Sequence, residues 1–391
     1  METQQSESSA TLTARSLTRT SAVTANEWNA FLNDDDAPFL KHEFLSLLED
    51  SGCVGPGTGW TPCHLVIEQA GDKAPAGIVP LYLKEHSYGE YVFDWAWANA
   101  YQQHDIAYYP KLVSGIPFTP VTTRKLLAPQ PATHVKRALI KALQVFAQAN
   151  PISSIHALFL DTMDSSLFEN AGYLTRKDHQ FHWNNEGYVD FDHYLSAFTS
   201  KRRKTIRAER RQVRDAGVEF CWLSAEESRE ADWVMMYQSY RNTIAEHGGY
   251  PYLTETFFLQ LPNRLPRNVW LLRGAIDGKV ICNALYFTSA KSLYGRYWGA
   301  SQYVPCLHFE TCYYQPIAFA IEHQLATFEA GAQGIHKLSR GLAPTVTQSA
   351  HWLKHPGFYD AVDRYLQEER REQGQYTRLL NESLPFRKSG C

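Results

Sequence analysis

No stretch of this 391-residue chain approaches the roughly 18 apolar residues that a membrane-crossing helix needs, so no membrane span is expected. No Cys-x-x-Cys pair occurs among the seven cysteines, and the number is odd. This pattern excludes a disulfide framework and fits free thiols in a reducing compartment. The N-terminal stretch "METQQSESSATLTARSLTRTSA" has no apolar core, so no secretory leader is expected, and residues 1–25 read as a disordered tail. A cytoplasmic location follows from these absences. Net charge is nearly absent too: −3 over the whole chain gives no global pull on nucleic acid or an anionic surface, so any attraction to phosphate must be local.

What is present describes a globular chain. Hydrophobic residues make up 44% and charged residues 20%, and the length suits two domains rather than one core. After the tail, "NEWNAFLNDDDAPFLKHEFLSLLEDSG" reads as two short helices stopped at Gly52. "CHLVIEQ" and "AGIVPLYLKEH" read as strands, and "YGEYVFDWAWANAYQQHDIAYYPKLVSGIPFTPV" as a strand followed by a long aromatic loop. "THVKRALIKALQVFAQAN" is an amphipathic helix, "SSIHALFL" a strand, "MDSSLFENAG" a short helix and "YLTRKDHQFHWNN" a strand. The order then restarts. A helix covers "FDHYLSAFTSKRRKTIRAERRQVRDAG", followed by a strand and two helices. An Asp277-Gly278 hairpin, the strand "SLYGRYWGAS", the helix "HFETCYYQPIAFAIEHQL" and the strand start "ATFEAGAQG" complete the pattern. The halves share order and size without residue-level repetition. This places domains at 26–186 and 187–391.

One segment carries unusual charge. Lys201 to Asp215 holds eight basic residues against Glu209 and Asp215. At helical spacing, Arg203, Arg207, Arg210 or Arg211, and Arg214 form a stripe. Such a stripe favours a phosphate-bearing ligand, because Arg binds phosphate oxygens in pairs. The alternative is a solvated face neutralised by acids of the other domain. No aromatics interleave to stack bases, so a backbone phosphate or a pyrophosphate is the better ligand.

The element order resembles the GNAT acyltransferase fold, and the whole chain resembles the FemAB-like branch with two such domains in tandem. "SKRRKTIRAERRQVRDAGVEF" and "YGRYWGASQYVPCLHFETCYYQPIAFAIEHQLATFEAGAQG" carry the likeness. "HEFLSLLEDSG", "YGEYVFDWAWANAY", "QFHWNN", "LHFETCYYQ" and "GAQGIHKLSRG" narrow it to predicted N-acyltransferases labelled peptidoglycan biosynthesis or recognition proteins. The fold class expected is α/β of the α+β type: two GNAT-like domains, each a mixed, largely antiparallel sheet flanked by helices. The resemblance implies transfer of an aminoacyl or acyl group to an amine of a phosphate-bearing or peptide-like substrate. No permanently bound cofactor is expected; the donor would be aminoacyl-tRNA or acyl-CoA. Partners would be that substrate and a tRNA. Alternatives are an acyl-CoA-dependent enzyme, or a catalytically weak protein that binds a cell-wall precursor or tRNA.

Acyl transfer to an amine needs a path for the amine proton and a group that steadies the oxyanion. His336 suits the first role, and Lys337 or Arg340 the second; all three lie between glycines. Glu310 is a third catalytic candidate, or else a helix-terminal charge. Lys201, Arg203, Arg207, Arg211, Arg340, Tyr297 and Trp298 are the substrate- or phosphate-binding candidates. Cys306, His308, Glu310 and Cys312 alternate at a spacing that scatters them around a helix, so no metal is expected. Arg296-Tyr-Trp-Gly299-Ala-Ser301 falls short of an acyl-CoA phosphate loop because it lies inside a strand pattern. Where the resemblance calls for Gln-Gly-Glu-His-Lys, the chain has Ile335 in the acidic position. The stripe is expected beside the inter-domain cleft, and His336 and Lys337 in a pocket near Glu310.

Overall fold

The computed structural model describes residues 12–71, 74–332 and 334–387. Local signals set its elements. Helix Thr133–Ala149 buries Val135, Leu139, Ile140 and Leu143 along one face. Asp277 and Gly278 both adopt positive φ (49° and 77°), which matches the twist of the hairpin they close.

The strands are β1 (Leu12–Leu17), β2 (Trp60–Pro62), β3 (His64–Gln69), β4 (Pro75–Val79), β5 (Tyr82–Lys84), β6 (Lys111–Ser114), β7 (Ser154–Ala157), β8 (Leu174–Asn184), β9 (Glu219–Ser224), β10 (Val269–Ile276), β11 (Lys279–Thr288), β12 (Ser292–Ala300), β13 (Thr327–Glu329) and β14 (Ala343–Leu353). β1, β3 and β4 form a small sheet, and the others form one continuous sheet in the order β2-β5-β6-β7-β14-β8-β13-β12-β11-β10-β9.

That order has an internal two-fold relation between β14 and β8. Each of these two pairs antiparallel with the other and with a short strand outside it, β7 and β13 respectively. Beyond them come the parallel pairs β6–β7 and β12–β13, and then the antiparallel pairs β5–β6 and β11–β12. Helix Thr133–Ala149 links the first parallel pair. A helical run from Leu307 to Glu322, with a π turn at Glu310–Tyr314, links the second. The chain is therefore two similarly built halves that exchange strands. The C-terminal β14 fills the gap between β7 and β8 of the first half, and β8 lies between β14 and β13 of the second. Truncation after Arg340 removes β14 and the helix Pro356–Glu382 that packs on it, leaving β7 and β8 apart. The fragment is expected to lose cooperative thermal unfolding in circular dichroism. A fragment that melts like the full chain would show β14 to be an appendage.

Three expectations change. The tail ends earlier than residue 25: Leu12–Leu17 pairs with His64–Gln69, and residues before Leu12 lie outside the described ones. Its polar side chains face out, as an edge strand allows. The aromatic stretch is not a strand and loop: Trp95–Gln103 is a helix that buries Trp97 and Tyr101 four residues apart, and Lys111–Ser114 is β6. The helix from Phe191 breaks after Ser196 and resumes at Ser200, with Phe198 buried at the break.

Candidate active site

The second half opens where its parallel strands part. β12 pairs with β13 only through Ser292–Tyr294, yet it continues to Ala300. Its edge beyond Tyr294 therefore faces a wedge. The register of β11 and β12 slips between Leu285 and Tyr286, so Gly295 and Tyr297 flank an extra residue, Arg296. This β-bulge aims Arg296 and Tyr297 at the wedge. In the first half the equivalent wedge is closed. Past the β6–β7 pairing, Thr123 bridges Leu160 in parallel, and buried Ile116, Val121, Leu158 and Phe159 fill the gap.

In front of the open wedge lies a cleft of about 1240 Å³ between the halves. The first half contributes Trp60, Tyr88 and Phe118; the second contributes Tyr252, Arg296, Tyr297 and Gly331. The Tyr91 and Tyr252 hydroxyls share a 2.8 Å hydrogen bond between the halves. A smaller cavity of about 310 Å³ adjoins it, walled by Gln180, Ala332 and the exposed Ile335.

Glu329, the last residue of β13, sits at the splay point. Strand pairing puts it on one face with its register partners Tyr294 and His182, while Phe328 points the other way into the core. Its side chain keeps 14% exposure, but Oε2 is enclosed and has no hydrogen-bond partner among the described residues. His182 Nε2, 3.9 Å away, is too distant to bond well. Burial therefore pushes the Glu329 carboxyl up to about 8, with the Arg296 guanidinium pulling weakly the other way. His182 is held down to about 4 by burial and by Lys337, and shares a 3.1 Å hydrogen bond with Gln180. Glu329 is not among the residues lining the cleft, but it stands two residues before Gly331, which is, and a carboxyl raised by burial where β12 and β13 part can accept a proton.

The candidates read from sequence are divided between places. Tyr297 lines the cleft, and Trp298, on the opposite face of β12, packs 4.6 Å from His308. Lys337 is buried behind the cleft wall. Its ammonium donates to the Gly331 carbonyl at 2.7 Å, and burial lowers it to about 8. His336 shares a 2.8 Å hydrogen bond with the Tyr313 hydroxyl, on the helix side of the sheet. Arg340 donates to Glu209 and lies 3.4 Å from the Phe309 ring centroid. Glu310 is elsewhere: it accepts from Arg210 and Gln315 and faces an outer groove of about 880 Å³. Among the described residues, neither His336 nor Lys337 lines the groove that Glu310 faces, so that groove is not the expected pocket of the three. Glu310 points from the π turn to Arg210 of the basic helix, whereas His336 turns to Tyr313, Lys337 to the Gly331 carbonyl and Arg340 to Glu209.

The basic helix, Ser200–Asp215, is also away from the cleft, which it was expected to flank. Arg207, Arg210, Arg211 and Arg214 line the outer groove instead, with Asp190, Asp192 and Glu310. Arg207 pairs loosely with Asp192, and Arg210 with Glu310. The side chains of Lys201, Arg203, Arg211 and Arg214 make no ion pair among the described residues. Because Glu310 is 4% exposed, Arg210→Ala strands a buried carboxylate. The variant is expected to lose about 1–3 kcal/mol in urea unfolding. A loss under about 0.5 kcal/mol, the ordinary surface value, would show that Glu310 is solvated without its partner.

Glu329, Arg296 and His182 were not among the sequence candidates. Glu329 lay in "ATFEAG", where a strand and a turn glycine were visible but the parting of two distant strands was not. Gly299, read as part of a failed phosphate loop, has a packing cause: an added Cβ would lie 2.7 Å from Ser239 of helix Glu230–Glu246. The six described cysteines are all free thiols. No described helix is long and apolar enough to cross a membrane.

The two strand-exchanged halves, one with an open wedge and one with a closed wedge, form a tandem GNAT-like fold. The chain belongs to the FemAB-like family of peptidoglycan biosynthesis/recognition proteins, which it matches over residues 19–388. Its fold is similar to that of FemX, with 12% identity, 87% of this chain and 98% of that chain covered, and a TM-score of 0.53. It is also similar to L-PGS from Bacillus licheniformis, with 10% identity, 90% and 98% covered, and a TM-score of 0.51. A conserved protein of unknown function from Bacteroides thetaiotaomicron has 10% identity, with 84% and 97% covered and a TM-score of 0.52. No curated protein sequence matches the chain.

Proposed function

We propose that the chain transfers an aminoacyl or acyl group to an amine bound in the inter-domain cleft, and that the second half alone performs the reaction. The observation that carries this reading is the open wedge ending at Glu329, against the plugged wedge of the first half. The acceptor nitrogen attacks the donor carbonyl carbon and its proton passes to Glu329; the donor's C–O or C–S bond then breaks as Glu329 returns that proton to the departing oxygen or sulfur, leaving the amide and a free alcohol or thiol. Unpaired main-chain groups along β12 beyond Tyr294 offer hydrogen bonds to the carbonyl oxygen as it gains charge. Lys337 acts as a positioning residue, fixing the Gly331 carbonyl and hence the cleft wall.

Aminoacyl-tRNA is the donor that the charge distribution favours. The segment Ser301–Cys306 between β12 and the next helix holds a proline and no glycine, which is poor for cradling a pyrophosphate. The basic helix lies on the helix side of the sheet, packed on that same helix through Glu310 and Tyr314. Donor phosphates on that side and acceptor amine in the cleft would meet at the wedge. The test is a transfer assay with labelled aminoacyl-tRNA or acyl-CoA and amine-bearing cell-wall precursors, read by mass spectrometry. Product with neither donor class would refute the reading.

A further inference from the structure

Glu329 has an enclosed oxygen without a partner, yet a ring N–H stands close to it. β8 puts Gln180 and His182 on one face, two residues apart, and Glu329 lies opposite His182 in the β8–β13 register. Both β8 side chains are buried, at 3% and 7% exposure. The Gln180 amide nitrogen donates to the Pro120 carbonyl at 2.9 Å. A carbonyl can only accept, so the amide has one orientation, and its oxygen faces His182. The 3.1 Å contact between His182 Nε2 and that oxygen then requires a proton on Nε2. A main-chain carbonyl thus fixes an amide, and the amide fixes an imidazole tautomer.

The tautomer bears on Glu329. His182 Nε2 lies 3.9 Å from Glu329 Oε2 but 3.1 Å from the Gln180 oxygen, so its proton goes to Gln180. Arg296 and Tyr294 stand near Glu329 on β12, and Lys337 acts on His182 from the Ile335–Arg340 turn. The two cations are engaged elsewhere: Arg296 donates to the Phe118 carbonyl and Lys337 to that of Gly331. A buried carboxyl with no donor holds its proton to higher pH, which is the property the proposed base requires. Pro120 belongs to the first half, next to Val121 in the plugged wedge. The half with the closed wedge therefore reaches the carboxyl of the half with the open one.

We infer that Gln180 is a positioning residue of the transfer site: anchored on Pro120, it holds the His182 N–H away from Glu329 and so keeps that carboxyl basic. The inference rests on Glu329 being the base and adds the group that tunes it. Without Gln180, the freed N–H turns to Glu329 and forms a charge-assisted hydrogen bond, which favours the carboxylate. The other tautomer, with protonated Glu329 donating to a bare Nε2, gains only a neutral bond and is the weaker outcome.

The test follows the groups themselves and needs no turnover. In the full chain, carrying isotope-labelled histidine and glutamate, nuclear magnetic resonance reads the His182 tautomer from the ring nitrogens and the Glu329 titration from the carboxyl carbon. His182→Phe and Glu329→Gln identify the two signals by their loss. In the parent, Nε2 is expected to carry the proton and Glu329 to titrate at about 8. In Gln180→Met the midpoint is expected to fall by about one or more in pH, toward the ordinary carboxylate range. Adding His182→Phe to that variant is expected to restore the parent midpoint, since no N–H remains to turn; a merely structural role for Gln180 predicts no such restoration. A bare Nε2 in the parent overturns the inference. So does a midpoint that stays or rises in Gln180→Met, or one that stays low in the double variant. Should Gln180→Met not fold, His182→Phe alone decides: an unchanged midpoint supports the inference, and a raised one shows that the N–H already serves Glu329. The transfer rate separates this inference from the reading beneath it. If these shifts hold and Glu329→Gln transfers at the parent rate, the arrangement stands and Glu329 is not the base. If Glu329→Gln is slow while Gln180→Met leaves the midpoint in place, Glu329 remains the base and Gln180 has no part in tuning it.

Discussion

Replacing Glu329 by glutamine is expected to lower the rate of acyl transfer by about 10²- to 10⁴-fold, the range that a positioned general base supplies. The variant keeps the shape of the side chain and removes its capacity to take a proton. The parent rate is expected to rise with pH through about 8, where the Glu329 carboxyl loses its proton. In E329Q that step should vanish, leaving only the rise that belongs to the acceptor amine itself. A variant with an unchanged rate and the same step would assign the base elsewhere. The same group links stability to pH. Folded Glu329 holds its proton up to about 8, whereas the unfolded residue releases it near 4.5. The folded chain binds the extra proton between those values, so stability falls as pH rises through that window. E329Q does not ionise and is expected to melt a few degrees above the parent near pH 8.5, and alike at about pH 4.5.

The sequence made the halves legible but not their exchange. Periodicity marked helix Thr133–Ala149, and the Asp277-Gly278 turn marked the β10–β11 hairpin, because both signals are local. The FemAB-like likeness gave the tandem fold. That β14 belongs to the sheet of the first half could not be read, because strand pairing at a separation of nearly 200 residues leaves no periodic mark. Trp95–Gln103 was misread for a different reason. Its aromatics favour strands by propensity, yet Trp97 and Tyr101 stand one helical turn apart and pack inward on the C-terminal helix.

The site was less legible for the same reason as the exchange. Of the sequence candidates, Tyr297 lines the cleft from within strand β12, and Lys337 lies behind the cleft wall, bonded to the Gly331 carbonyl. His336, Arg340 and Glu310 are not among the residues that line the cleft; they bond to Tyr313, Glu209 and Arg210 instead. Glu329 and Arg296 acquire meaning only when β12 and β13 part. A carboxylate at the end of a strand is ordinary; one left with an enclosed, unpartnered oxygen is not. The orphan atom is what separates Glu329 from Glu310, which is better buried yet bonded to Arg210 and Gln315.

Substituting Arg203, Arg211 and Arg214 together by glutamine is expected to weaken tRNA binding and flatten its dependence on salt, while leaving thermal stability nearly unchanged. None of the three has an ionic partner among the described residues, so no buried acid is left bare. This choice separates them from Arg210, whose loss acts on Glu310. If each meets one backbone phosphate, the log–log slope of affinity against salt should shrink by about 2 to 3, at roughly 0.7 to 0.9 per phosphate. The slope is the decisive reading, because a general loss of surface charge lowers affinity without marking discrete contacts. Acyl-CoA gives a different result: its few phosphates near one helix terminus would leave the slope shallow in the parent and unaltered in the triple variant. A triple variant that melts early and binds tRNA normally would make the stripe a structural charge network. With eight basic residues on one helix and two paired acids in reach, Asp192 and Glu310, the charge balance argues against that outcome. Net repulsion along Lys201–Arg214 is relieved best by an anion from outside, and the open groove beside Arg207, Arg211 and Arg214 is where that anion fits.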